Sequence, residues 1–584
     1  MKQFLKMFLA SGTALLVFGL LVLMVVAISF GGSDKPEVSE KTLLTLNLGV
    51  PISDKPLSQS LQDAVRGAMG EGVGETVTLR SLLQALDEAS RDERVAGLYL
   101  HGNVNRAGYY SGWAALKEVR DAIMRFKASG KPVIAYEMAL DEAGLYMMTA
   151  ADDLYMNPMG YLEFNGFAAQ IMFFKGAFEK YGVDVQVTRV GKYKSAVEPY
   201  LLDGMSEANR EQLELLLNDI FDETINSVAE ARDLDPANLR ALANTDGVLT
   251  AADAVARGIV NQTLFYDDVL GKLRELTGTE AGEPIENQMS IRSYYDAIKP
   301  DSTDGDQIAL IYAEGGIQDG NDEQEVGGDH LARLLRKARE DEHVKAIVLR
   351  VNSPGGSALA SDVIQRETRL IKGQKPIVVS MGTVAASGGY WISTYADEIF
   401  ALPNTITGSI GVFGMFPNVQ RLMNEHGINV DVAKTSPMAD VTSTYRPKTD
   451  AELAVMQRFV DDIYTQFLDK VSEGRGLERD HVAEIAEGRV WSGTQALELG
   501  LIDKLGGVND AIASAAARAN LTDYQVTEYQ VAKGMQEEIM EMLGFESTVK
   551  PTGSEEFLQI WRELQRLQSS QGIYARLPYE LTIR

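Results

Sequence analysis

Two glycine-flanked serines and one lysine are the residues of this 584-residue chain whose surroundings suit covalent chemistry. Ser387 stands in MGTVAASGGYW (381–391), between a β-branched run and a helical pattern that starts near Tyr390. Ala385, Ala386, Gly388 and Gly389 leave its hydroxyl open to a substrate pressed against the backbone, and a helix N-terminus there favours developing negative charge. Ser409, in TGSIGVFG (407–414), is the weaker nucleophile because strand-like Ile410 and Val412 follow it. A hydroxyl that orients a base suits Ser409 better. RVNSPGGS (350–357) follows a strand and precedes a helix. Its Gly355 and Gly356 allow close backbone approach, and N–H groups at a helix start can receive an anion, although a simple tight turn has the same pattern. No Gly-Lys-Ser/Thr follows, so a phosphate loop is not supported.

A serine nucleophile needs a base. The chain has five histidines, His101, His330, His343, His426 and His481, and none lies in these glycine-rich segments. A Ser-His-Asp triad is assembled by geometry, so sequence distance leaves it open. Lysine is the alternative, and it must be neutral to act. Bringing its pKa from about 10.4 to roughly 7–8 costs on the order of 3–5 kcal/mol, supplied by desolvation or a neighbouring cation. VTRVGKYKSAVEPY (187–200) offers both to Lys194, with Val190, Tyr193 and Val197 around it and Arg189 and Lys192 close by.

An internal duplication singles these residues out. RDERVAGLYLHGN (91–103) is echoed by EDEHVKAIVLRVN (340–352), KPVIAYEM (131–138) by KPIVVSMG (375–382), and EAGLYMMTAADDLYMNP (142–158) by SGGYWISTYADEIFALP (387–403). YGVDVQVTRVGKYKS (181–195) is echoed by HGINVDVAKTSPMAD (426–440). The spacing is near 245 residues, which is a duplicated domain and not a short solenoid repeat. At the Ser387 column the first copy has Glu142, and at the Lys194 column the second copy has Ala439. Each copy keeps one half of a serine–lysine pair, which points to one site built from both.

The elements that must position this pair are short β-branched runs alternating with amphipathic stretches. IALIYAE, KAIVLRV and PIVVSMG read as buried strands, with HLARLLRKARED and LASDVIQRETRLIKG as helices between them. Such alternation implies βαβ units, a parallel sheet and the α/β class. The first repeat is expected over 42–276, a Gly-, Pro- and acid-rich connection over 277–306, the second repeat over 307–532 and a tail over 533–584. In the tail, Phe557, Ile560, Trp561, Leu564 and Leu567 have helical spacing, suited to packing or an oligomer contact.

Residues 7–30 carry no charge and are long enough to cross a membrane as a helix. Lys2 and Lys6 precede the run, and Asp34, Glu37 and Glu40 follow in the linker 31–41. That bias places the N-terminus in the cytoplasm and the body outside. A run of this length exceeds the apolar core of a signal peptide, so an uncleaved anchor is expected, with Ala27-Ile28-Ser29 the alternative cleavage site. Net charge of −28 disfavours nucleic acid, and the absence of cysteine excludes disulfides, thiolate metal sites and cysteine nucleophiles. Neither a metal nor a cofactor is expected.

GKYKSAVEPY, LRVNSPGGS, SMGTVAASGGYWIST and ITGSIGVFG together resemble the long, two-repeat form of the signal peptide peptidase A (protease IV) family, from the anchor to about residue 530. The resemblance implies two tandem Clp-protease/crotonase-like repeats, a nucleophile at Ser387, a general base at Lys194 and a base-orienting Ser409. It also implies an oxyanion hole from Gly355 or Gly356 with a main-chain N–H after Ser387, at Gly388. The implied substrates are signal-peptide remnants and other short apolar peptides. The implied setting is a single-pass protein of a bacterial inner membrane, with its N-terminus cytoplasmic, its body periplasmic or extracytoplasmic, and its chains in a homo-oligomeric ring, a tetramer being favoured. Two rivals remain at this level: an acyl-CoA enzyme of crotonase type, and a non-catalytic scaffold.

Overall fold

The computed structural model describes residues 35–55, 77–104, 112–299, 305–323, 325–529 and 572–576. The expected anchor at 7–30 and the apolar stripe at 557–567 lie outside these residues. Among the described residues no helix is long and apolar enough to cross a membrane.

The first repeat is built on four parallel strands, β1 (Thr42–Asn47), β2 (Val95–His101), β3 (Val133–Glu137) and β4 (Asp153–Met156), arranged side by side in that order. A short antiparallel pair follows, β5 (Tyr161–Glu163) with β7 (Val248–Thr250), and β6 (Asp184–Val190) leaves the body as a separate strand. Helices α1 (Leu79–Arg91), α2 (Gly112–Ala128), α3 (Glu142–Met148) and α4 (Glu207–Arg232) complete the unit. α1 forms because Leu79, Leu82, Leu83 and Leu86 recur on one face and the Thr78 hydroxyl accepts from Ser81 N, satisfying a donor that the first turn leaves without a partner.

The second repeat reproduces the plan. Strands β8 (Gln307–Glu314), β9 (Val344–Ser353) and β11 (Ile377–Ala386) are parallel neighbours, and β11 continues to β12 (Glu398–Ala401) and β13 (Ile406–Gly408). Between β9 and β11 lies a three-residue strand, β10 (Gly355–Ser357); β14 (Val412–Asn418) and β15 (Val490–Ser492) follow later in the chain. Its helices are α5 (Gly328–Glu340), α6 (Ala358–Ile371), α7 (Gly388–Ser393), α8 (Asp450–Arg475) and α9 (Val508–Arg518). The equivalence reaches side chains. Asp152 and Asp397 each accept the first N–H of a central strand, from Val133 and Ile377, both at 2.9 Å.

The 277–306 segment is more than a connection. Gln288–Ser290 pairs with β1 as an edge strand, as Gln525–Glu528 does with β8, and Ile291–Ile298 is helical. Its Gly, Pro and most of its acids are concentrated towards its ends, so composition alone hides the strand. RVNSPGGS also differs from its expected turn: β9 runs through Ser353, and the glycines form strand β10 before the helix begins.

Charge and strand pairing join the repeats. Arg350 of β9, 1% exposed, donates to Asp54 at 2.9 Å and to Glu118 of α2 at 2.7 Å, both from the first repeat. Such a pair offsets its large desolvation cost only when every member is bonded, and Ser380 Oγ at 2.8 Å takes a third guanidinium donor. Strand β14 lies antiparallel to β6, from Val412 opposite Val190 to Asn418 opposite Asp184. This cross-repeat ladder brings Lys194 to the second repeat.

Candidate active site

Ser387 follows the last residue of β11 and caps α7 in a conformation few serines adopt, φ 56° and ψ −113°. Its N–H donates to Gly408 O at 2.8 Å, and Trp391 N donates back to its carbonyl at 2.8 Å. Ser409, just beyond β13, also has positive φ, 51°, and its N–H is held by Arg489 O at 2.7 Å. Non-glycine residues in such regions cost of order 1–3 kcal/mol each, and here the surrounding hydrogen bonds hold both in place.

Lys194 follows β6 across a turn at Gly191 and reaches both serines. Its Nζ lies 2.8 Å from Ser387 Oγ, 3.0 Å from Ser409 Oγ and 3.1 Å from Ser409 O. All three residues are fully buried. Burial holds the Lys194 amine well below the ordinary lysine range. The neighbouring-cation contribution expected from Arg189 and Lys192 is absent: Arg189 is exposed, and Lys192 stands over the Tyr193 ring. A neutral amine has two N–H donors and one lone pair. The three contacts match that inventory when the N–H groups donate to Ser409 O and Oγ and the Ser387 hydroxyl donates to the lone pair.

The first copy's counterpart, Glu142, is 7% exposed and accepts the N–H groups of Asn165 and Gly166 at 2.6 and 3.0 Å. Burial raises its pKa. Ala439 lies exposed in a loop outside any strand or helix. Neither residue has a partner for nucleophilic chemistry. None of the five histidines, His101, His330, His343, His426 and His481, is bonded to Ser387, whose hydroxyl meets Lys194 instead.

The glycine motif closes over the same point. A Cβ on Gly355, whose φ is 91°, would meet Gly388 N at 2.6 Å, so these two backbones touch. Gly355 N donates to Ser353 Oγ at 3.2 Å. A Cβ on Gly356 would overlap the Ile317 backbone. Between β10 and β14 runs a further strand, β16 (Gly572–Arg576), antiparallel to both: Gly356 faces Ala575 on one side and Phe413 faces Tyr574 on the other. The Ala575 carbonyl lies 3.1 Å from where a Gly388 Cβ would stand. The chain's own residues 572–576 thus lie extended beside Gly355–Ser357.

Two positioning features escaped the sequence reading. The loop Glu487–Arg489 wraps the lysine: Glu487 O accepts from Tyr193 N at 3.0 Å, and a Cβ on Gly488 would meet Lys194 Cβ at 2.7 Å. Gln212 of α4 donates to Tyr193 O and Ser195 Oγ, both at 3.1 Å, and accepts from Val490 N at 3.3 Å, so it grips both neighbours of Lys194. AEGRV (486–490) carries only a Gly as signal, and Gln212 sits mid-helix among charged residues.

A buried serine in contact with a buried lysine, on two copies of one α/β unit, is the arrangement of a serine hydrolase. Comparison with known proteins narrows it. Residues 125–280 and 369–522 each match the model of peptidase family S49. Protease 4 of Haemophilus influenzae is 34% identical over 581 residues, covering 93% of this chain and 92% of that protein. Protease 4 of Salmonella typhi is 35% identical, covering 88% and 85%, and the chloroplastic serine protease SPPA of Arabidopsis thaliana is 32% identical, covering 80% and 69%. The chain belongs to peptidase family S49, and it is a serine peptidase. This membership removes the acyl-CoA and scaffold readings.

Proposed function

We propose that Ser387 is the nucleophile of a serine–lysine dyad that cleaves short apolar peptides, among them signal-peptide remnants, at the outer face of a bacterial inner membrane. The observation that carries the reading is the 2.8 Å approach of Lys194 Nζ to Ser387 Oγ in a fully buried pair. The neutral amine takes the Ser387 proton as Oγ bonds to the peptide carbonyl carbon. The carbonyl oxygen becomes an oxyanion, held by main-chain N–H groups at Gly355 or Gly356 and at Gly388. Collapse breaks the C–N bond, and the ammonium returns its proton to the departing amine. Water then enters, Lys194 takes its proton, and the acyl–oxygen bond to Ser387 breaks to release the acid. Ser409 keeps the amine's lone pair on Ser387 by occupying its N–H groups.

The β16 segment supports substrate binding as an added antiparallel strand over Gly355–Ser357, a mode that takes affinity from main-chain bonds and leaves side-chain choice to neighbouring pockets. The uncharged run 7–30 supports a single-pass anchor with the body outside, and the division into repeats at 42–276 and 307–532 assigns base and nucleophile to different copies. The test is a fluorophosphonate probe followed by peptide mass mapping. The adduct is expected on Ser387 and absent from Ser387→Ala; an adduct on Ser409 instead would overturn the assignment.

A further inference from the structure

Glu198 has no part in the dyad, yet this carboxylate is 1% exposed and stands four residues beyond Lys194. It opens the short helix Glu198–Leu201, directly after the single turn Ser195–Val197. Three donors meet it. Ser206 Oγ donates to its Oε1 at 2.6 Å, and Ser206 N and Asn209 Nδ2 donate to its Oε2 at 3.2 and 3.0 Å. A carboxylate at this depth is costly unless such bonds replace its water.

An ionised carboxylate can only accept, and that fixes the direction of every bond beyond it. Asn209 must turn its amide nitrogen to Glu198, which leaves its Oδ1 to accept from Gln212 Nε2 at 3.2 Å. Gln212 therefore also presents N–H groups, and not its oxygen, to Tyr193 O and Ser195 Oγ on either side of Lys194. Its Oε1 is left for Val490 N of the second repeat. Reversing the Gln212 amide would set oxygen against oxygen at Tyr193 and N–H against N–H at Val490.

Anchoring α4 does not account for the carboxylate. The Ser206 hydroxyl already caps that helix by accepting from Asn209 N at 3.2 Å. The equal-length counterpart α8 is capped by Thr449 in the same way. At the matching positions α8 has Glu452 where α4 has Asn209, and Val455 where α4 has Gln212. Glu452 accepts from Arg446 and from Thr449 N, and an apolar Val455 can pass no hydrogen bond on. The copy without the lysine also lacks the relay.

We infer that Glu198, acting through Asn209 and Gln212, is a positioning residue. It sets the polarity of the two amides that hold the backbone on both sides of Lys194, and so the approach of the amine to Ser387. The inference rests on the serine–lysine reading and assigns Glu198 no contact with substrate.

The test is the rate at which a fluorophosphonate labels Ser387, followed against pH in the full-length chain. In Glu198→Gln an amide nitrogen faces donors, and the relay loses its direction. Labelling at neutral pH should slow at least about 10-fold, as small misplacements of a reacting group do. Its rise should also move to higher pH as water reaches the amine. Combining Glu198→Gln with Asn209→Asp shifts the carboxylate one step along the relay, where it again only accepts from Gln212, so most of the lost rate should return. Gln212→Leu removes the last link and should repeat the slowing and the shift, with little further loss when Glu198→Gln is added. The parental rate, or a smaller labelled fraction with the rise unmoved, would overturn the proposal in folded Glu198→Gln. If circular dichroism shows that variant unfolded, the same results in Gln212→Leu would do so. A double variant no faster than Glu198→Gln would contradict it as well. Labelling that survives in Lys194→Ala would instead remove the dyad itself.

Discussion

Ser387 and Lys194 carry opposite burdens. The serine loses conformational freedom to hold φ 56°, and the lysine loses water to stay uncharged. Ser387→Ala and Lys194→Ala should each lower kcat by at least about 10³-fold with folding intact, because members of one catalytic unit are lost together. Ser409→Ala removes one orienting hydrogen bond and should cost about 10-fold to 100-fold in kcat with little change in KM. Lys194 also has a stability signature. Its folded pKa is lowered, so between that value and the ordinary lysine value the unfolded chain binds more protons, and stability rises with pH across that window. Lys194→Met, which fills the same space without charge, should therefore be more stable than the parent at neutral pH. Its advantage should shrink as pH approaches 10, as urea unfolding at several pH values would read.

Elements fix how closely the two residues meet. Lys194 is delivered by β6, held against β14, and gripped by Gln212 from α4 and by the Glu487–Arg489 loop. Gly488→Ala should push on the lysine stem and lower kcat, since its Cβ would stand 2.7 Å from Lys194 Cβ and φ is already 75°. The Arg350 cluster sets the relation between the sheets. Removing its guanidinium strands two buried carboxylates, so Arg350→Ala should lose about 3–5 kcal/mol of stability in denaturant unfolding. Much of this arrangement was legible in the sequence. The strands around 308–314, 345–351 and 376–382 stood out because buried parallel strands are continuous apolar runs. Ser387 and Lys194 stood out because the duplicated copy lacks each. What was hidden depends on packing between distant segments. Gln212 and Gly488 have ordinary local sequence, and the depression of the Lys194 pKa comes from burial alone and not from the adjacent cations that the sequence displays.

On the scale of the whole molecule, the proposed dyad divides its labour between the copies: Lys194, the proposed base, lies in the first and Ser387, the proposed nucleophile, in the second, while the matching columns hold Glu142, which accepts two backbone N–H groups, and a surface Ala439. Glu142→Ala should accordingly be mild in activity, a result that assays on soluble peptide can check. The anchor proposed at 7–30 carries no residue that the proposed chemistry needs. A chain starting near Ser33 should cleave soluble peptides about as well as the full chain. It should lose ground only on lipid-embedded peptides, where tethering raises local concentration.

The pH dependence of the rate at which a fluorophosphonate labels Ser387 tests the dyad most directly, because it reads the nucleophile without substrate binding or product release. The rate should rise through one ionisation below the ordinary lysine range, and Lys194→Ala should remove both that limb and nearly all the labelling. An unchanged limb in Lys194→Ala, or one near pH 6.5 that disappears with a histidine substitution, would contradict a lysine base.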